Sequence, residues 1–542
     1  MVKSFGKRLR DICGKIAEKW AAFKDPSGNP SGKISWRERV VVYPVLIVIA
    51  VLFLLAFALW ESPLYVHWYG CDASFFSMAG RGITQGWVPY IDFFDLKGPY
   101  FFFLQALGQS IHTDRIGIWI LEIPFLAASL ILVYELARLF VSRIKTVFIM
   151  AIVIFMHIAT LWGGNTLEEY MLPLSLLVVY MTVRAALAGV SNGAQDSAEH
   201  VTVKKVRMQL FNLDFGSLPT YVPILTGICF GIIMFSKITV AAPIAGVVIA
   251  VVLNNLVEKN WRALIKYLLL SLLGVAIAAA PIFLYFGYHH AIGRMLYSVF
   301  TFATKRSVDF SEPFNMEWEI KTFGATFAFF FALFHPKKLG RPMQILLLCV
   351  SAVTYLLLHL GVPFIYYFTT VYPVFVLAFA VFLRVYDPLV LFANVRQFAC
   401  LALIAVMLYF YAKASMDTVD TFLHGRDNIW YESDYQSAKD LAALIPARER
   451  NQVFSFSMDM TWFEANQMLP CNPYQINLQF FIALDPTIED DLTQYLNETP
   501  PKWLVVKDSF GGEIPSLFAI VDSKYECICS NDVGNLYRLR DD

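Results

Sequence analysis

Apolar stretches long enough to cross a bilayer recur from residue 40 to residue 412, separated by short polar connections. A spanning helix needs roughly 17 to 25 mostly apolar residues. The pattern predicts about eleven such helices, near 40–60, 116–138, 146–163, 168–188, 221–236, 238–257, 264–287, 320–335, 343–361, 364–384 and 395–412. The 221–257 region is divided in two because Lys237 interrupts it. After Lys413 the pattern changes. Short strand-like runs at 452–457, 503–507, 525–529 and 535–539 alternate with helix-like stretches such as 436–447. This reads as a small α/β domain.

Composition agrees with the membrane class. The 542 residues are 57% hydrophobic and 16% charged, against roughly a quarter charged in a soluble domain. Formal net charge is zero, so no basic excess points to nucleic acid. The informative charge is local. With the N-terminus inside, the inner connections carry Arg138, Arg143 and Lys145; Arg184, Lys204, Lys205 and Arg207; Lys259, Arg262 and Lys266; Lys337, Lys338 and Arg341; and Arg384 and Arg396. Every inner connection is basic, as the positive-inside rule requires. An odd number of spans then places the C-terminus outside.

The expected organisation is a basic amphipathic cytoplasmic segment over 1–38, a multi-pass transmembrane domain over 39–412, and a soluble extracytoplasmic domain over 413–542. Two long outer loops are expected at 61–115 and 289–319. Cys71, Cys471, Cys527 and Cys529 fall outside, where disulfides persist; four cysteines allow three pairings, and a Cys71–Cys471 bridge would tie the first loop to the C-terminal domain.

Polar groups converge on the outer side. The first loop holds Asp72, then Gly-Trp-Val-Pro-Tyr-Ile-Asp92-Phe-Phe-Asp95-Leu-Lys97-Gly-Pro. The third span ends in Gly-Gly-Asn-Thr-Leu-Glu168-Glu169-Tyr, and Ser236-Lys237 and the stretch with His289, His290, Arg294, Lys305 and Arg306 lie on the same side. Each acid alone reads equally as a solvated loop charge or, for Glu168 and Glu169, as a helix start favoured by the dipole. Together, carboxylates suit proton acceptance or metal coordination, and Lys or Arg suits a phosphate. A sugar linked to a lipid phosphate calls for both at a membrane surface.

The two motifs resemble those of bacterial GT-C glycosyltransferases, in the branch related to the protein O-mannosyltransferases and the lipid A aminoarabinose transferase. That resemblance implies a GT-C-like fold and an inverting transfer from a polyprenyl-phosphate-linked sugar to a glycan, lipid or protein acceptor outside the cell membrane. It implies Asp72 as general base and Lys97 as donor-phosphate ligand. The second acid of the family's Asp-Glu pair is replaced by Ala73, which leaves Asp92 or Asp95 to supply it. Glu168, Glu169 and His289 are candidates for the acceptor or for a divalent metal, and family members differ in metal use. Lys237, Arg294, Lys305 and Arg306 are phosphate candidates from topology. The segment Pro363–Pro373, with Tyr366 and Tyr367, resembles a late-span element of the family and reads equally as an interfacial aromatic belt. Two other classes fit the topology: a transporter or flippase of lipid-linked glycans, favoured by the Ser236-Lys237 break, and a non-catalytic partner in cell-envelope assembly.

Sidedness carries the functional reading. A reporter active only outside the cytoplasm, fused after Leu539, is expected to be active; activity of a cytoplasm-restricted reporter at that position would overturn topology and function together.

Overall fold

The computed structural model describes residues 34–65, 69–195, 211, 213–305, 322–359, 364–386, 395–424, 429–456, 460–476, 478–507 and 510–540. Residues 1–33 of the basic segment expected over 1–38, and the candidate Arg306, lie outside them.

All the predicted apolar stretches are helical. They form α1 (Trp36–Phe57), α4 (Arg115–Arg138), α5 (Arg143–Thr160), α6 (Leu167–Gln195), α7 (Tyr221–Met234), α8 (Ala242–Val257), α9 (Trp261–Tyr288), α10 (Phe323–Phe334), α11 (Arg341–Leu358), α12 (Tyr372–Val385) and α13 (Val395–His424). Eight of the described helices are long and apolar enough to cross a membrane, and α7 and α10 are shorter apolar helices. The chain is a multi-pass membrane protein. α12 with its preceding turn is the central element, 89% buried, whereas α1 and α9 are each only 22% buried and turn their apolar side chains to lipid.

Paired charges hold the end of the bundle where α1 begins. Glu38 lies against Arg138 at 2.9 Å and Arg143 at 2.7 Å. Glu135 accepts from Arg39 at 2.8 Å and from the Tyr43 and Tyr180 hydroxyls. A carboxylate buried at a helix end is costly unless it is paired and hydrogen-bonded, and these pairs tie α1 to α4, α5 and α6.

At the other end, the 61–115 segment is largely helical. It contains α2 (Cys71–Thr84) and α3 (Pro99–Ile111), with Pro99 at a helix start, where its missing N–H costs nothing. The predicted strands form one mixed sheet in the order β1-β2-β4-β3. β1 (Val453–Phe456) and β2 (Trp503–Val506) are parallel and fully buried, and β3 (Tyr525–Asn531) and β4 (Gly534–Leu539) form an antiparallel hairpin. α13 runs on to His424, past the expected boundary at 412, and leads into α14 (Ile429–Ala443).

The sheet domain is docked on α2 and the turn after it. Arg81 meets Glu464 at 2.7 Å with both side chains almost fully buried. The Ser77 hydroxyl donates to the same carboxylate at 3.0 Å, and Arg81 also donates to the Met468 carbonyl. The Phe94 amide donates to the Pro473 carbonyl at 2.9 Å, and the Phe94 ring packs against Phe302, Tyr474 and Phe481. The Cys71–Cys471 bridge that the sequence allowed does not form: Cys471 is a free thiol 3.4 Å from the Tyr495 hydroxyl.

Removing one partner of a buried pair leaves the other charge without compensation. Glu464→Ala is expected to cost about 3–5 kcal/mol, read as a lower unfolding midpoint and faster proteolytic release of the sheet domain.

Candidate active site

Asp72 sits in the first turn of α2, whose N-cap is Gly70. The helix dipole favours a carboxylate there. Among the described residues, no hydrogen bond or ion pair ties up its side chain.

Lys97 follows a tight turn. Its amide donates to Asp95 Oδ1 at 2.7 Å, its ammonium lies 3.7 Å from the same oxygen, and it sits 4.4 Å from the centroid of the Phe76 ring. Burial pushes the Asp95 carboxyl above its usual range, against the pull of Lys97. Burial opposes the Lys97 charge, but Asp95, Asp72 and Glu168 outweigh it and raise its pKa. Lys97 is therefore a cation held among acids.

Gly98 allows a close backbone approach that a side chain would block. A Cβ there would lie 1.9 Å from the Phe235 carbonyl oxygen, and the Gly98 amide donates to the Ser236 carbonyl at 2.7 Å. The absent side chain lets the Lys97 turn press directly on the backbone beside Lys237. Lys237 occupies the break between α7 and the turn Ile238–Ala241 that precedes α8. Its ammonium meets Glu168 Oε1 at 2.7 Å and lies 3.3 Å from the centroid of the Tyr367 ring. Asp72, Asp95, Lys97, Glu168, Lys237 and Tyr367 thus form one electrostatic group.

Other sequence candidates lie elsewhere. Asp92 accepts from the Val88 amide at 2.6 Å, closing its own turn. His289 packs on Tyr285 at 4.7 Å, beyond the end of α9. Arg294 is exposed. Lys305 is bound to Asp485 at 2.8 Å, linking the 292–305 stretch to the sheet domain; that pair holds Asp485 well below the usual carboxylate range. Glu169 points away from Glu168, into the bundle, with the His157 Nε2 atom 3.6 Å away.

Glu61 and Glu122, which sequence reasoning missed, join Glu169 in a second group of acids. Glu61, Glu122 and Glu169 are each 2% exposed or less, and each has at least one oxygen without a hydrogen-bond partner. They surround the turn Trp162–Asn165, in which all four residues have positive φ. A Cβ at Gly164 would lie 2.4 Å from Glu61 Oε2, and one at Gly163 would lie 2.7 Å from the Trp60 ring. The Asn165 amide donates to Glu122. Glu122 stands in the middle of the first half of an apolar span, and an acid inside a span is a functional signal by default. Among the described residues, no three His, Cys, Asp or Glu side chains are placed to hold a metal ion.

No protein-family model and no curated protein matches the sequence. The architecture does match solved structures. The fold is similar to that of ArnT. ArnT from Cupriavidus metallidurans bound to undecaprenyl phosphate aligns with a TM-score of 0.53 at 14% identity, over 93% of this chain and 98% of that one. The apo state of the same enzyme gives 0.54 at 14% identity, over 92% and 97%. The Archaeoglobus fulgidus oligosaccharyltransferase in its apo form gives 0.46 at 12% identity, over 94% and 75%.

Burial, followed by the neighbouring Glu122, raises the Glu61 carboxyl well above its ordinary 4.5. A folded-state pKa above the unfolded value means the folded protein binds the extra proton, so stability falls as pH rises past about 4.5. Glu61→Gln is expected to raise the unfolding midpoint near pH 8 and to flatten its decline between about pH 5 and pH 8, measured by thermal unfolding in detergent.

Proposed function

We propose that this chain transfers a sugar from a polyprenyl-phosphate-linked donor to an acceptor at the outer face of the cell membrane. The observation that carries the reading is the meeting of Asp72, the Lys97–Asp95 pair and the Lys237–Glu168 pair at the end of the bundle that bears the sheet domain. The ArnT-like fold supports it, as does the undecaprenyl phosphate bound to that protein. The basic connections at the opposite end support the orientation.

In this reading the lipid tail stays in the bilayer and its phosphate approaches Lys97 and Lys237. An acceptor hydroxyl attacks the anomeric carbon from the side opposite the phosphate. The new C–O bond forms as the glycosyl–phosphate C–O bond breaks. The bonding pair leaves with the phosphate, the hydroxyl proton passes to Asp72, and the anomeric configuration inverts. Lys97 and Lys237 stabilise the charge that develops on the leaving phosphate, where fixed cations outperform water. Tyr367 faces the Lys237 ammonium and holds it in place.

The flippase alternative rests on the charged break at Lys237. Its pairing with Glu168 at the start of α6 offers a cation to a phosphate whichever process follows. Turnover separates the two. With a panel of polyprenyl-phosphate sugars and soluble glycan, lipid and peptide acceptors, Asp72→Asn is expected to reduce kcat about 10²- to 10⁴-fold with donor binding retained. Lys97→Ala is expected to lower kcat/KM about 10²-fold or more. Lipid translocation in vesicles with no transfer by the wild type would overturn the transferase reading.

A further inference from the structure

A run of aromatic side chains connects the two ends of the candidate site. Trp162 is 49% exposed although its backbone lies in the left-handed region, at φ 52°. A bulky residue there is uncommon and costs energy. The Trp60 ring meets it edge-on at 6.4 Å, and the Trp60 amide donates to the Gly163 carbonyl. Trp162 also meets Tyr366, the two rings tilted by 47° with centroids 6.4 Å apart. Phe364 stacks on Tyr366 at 5.5 Å.

The two ends of this run are fixed by independent contacts. At one end, the Trp60 ring occupies the space a Cβ on Gly70 would take, 2.3 Å from it, and Gly70 caps the helix that carries Asp72. At the other end, Tyr366 lies 4.7 Å from Tyr367, and the Lys237 ammonium is 6.0 Å from the Tyr366 ring centroid. The charges of Asp72 and Glu168 both act on the Tyr366 phenol. The rings therefore lie between the candidate base and a candidate phosphate ligand.

That interval has a chemical meaning. In an inverting displacement the anomeric carbon sits between the attacking hydroxyl, beside the base, and the leaving phosphate, beside the cations. The glycosyl ring attached to it must occupy the same interval. Sugar rings have an apolar C–H face with slight positive character, and aromatic faces carry the complementary negative quadrupole. Ligand sites commonly combine such aromatic walls with a few polar groups that fix orientation. We propose that Trp162 and Tyr366 form the stacking platform for the glycosyl ring of the lipid-linked donor. Trp60 and Phe364 support the two rings from behind. The proposal rests on the transferase reading and names residues for its sugar subsite.

Two probes separate the platform from the phosphate site: bare polyprenyl phosphate, and polyprenyl-phosphate-linked hexoses. They are titrated into the full chain in nanodiscs. The wild type is expected to bind at least one glycosylated lipid more tightly than the bare phosphate. Trp162→Ala and Tyr366→Ala are each expected to weaken the glycosylated lipid about three- to tenfold and to leave the bare lipid unchanged, which also reports a folded protein. Trp162→Phe and Tyr366→Phe, which keep a ring, are expected to retain most of the affinity and serve where an alanine variant fails to fold. Lys97→Ala is expected to weaken both lipids. Equal losses for both lipids in the aromatic variants, no loss for either, or a raised KM for the acceptor alone would overturn the platform. Failure of the wild type to bind either lipid would overturn the transferase reading itself.

Discussion

An ammonium group cannot sit in a break between apolar helices unless something answers its charge. Lys237 stands at such a break, and Glu168 answers it at 2.7 Å. Much of the architecture at this end of the bundle follows from that pairing. It brings the start of α6 to the junction of α7 and α8, and the Lys97 turn closes against the same backbone through Gly98. The Tyr367 ring covers the ammonium. Two cations are thereby held near one another by acids and aromatic faces, an arrangement that stays stable with no anion bound and leaves both cations available to one.

The sheet domain belongs to this arrangement. Its Glu464 neutralises Arg81 on the helix whose first turn carries Asp72. Pro473 and Gln475 hold the backbone of the turn that leads to Asp95 and Lys97. Both site-bearing segments are thus braced from the same side. Rigid support for a reacting geometry matters because small misplacements are costly in rate, and it gives the sheet domain a role in positioning the candidate site.

The buried acids behind the site differ in character. Glu61, Glu122 and Glu169 crowd a turn of four left-handed residues. Such a concentration of strain and under-satisfied polar atoms is destabilising on its own. It is retained in the turn that carries Trp162, next to the proposed sugar subsite, where stability and function most often pull in different directions.

The helices and the sheet strands were legible in the sequence because hydropathy and strand alternation are local properties, written within a window of a few to twenty residues. Asp72 and Lys97 were legible as candidates for the same reason: they stand in a short stretch whose spacing survives without knowledge of the rest. The partners were not. Lys237 finds Glu168 69 positions away, and Ser77 finds Glu464 387 positions away. Nothing local distinguishes Glu168, which turns to the site, from Glu169, which turns into the bundle, or Lys237, which joins the site, from Lys305, which clamps the sheet domain. The sequence by itself determined which segments enter the membrane and which charges are available. Only the tertiary structure decided which charges meet, because the cost of a buried charge depends on the group facing it, and that group is chosen by packing between distant segments.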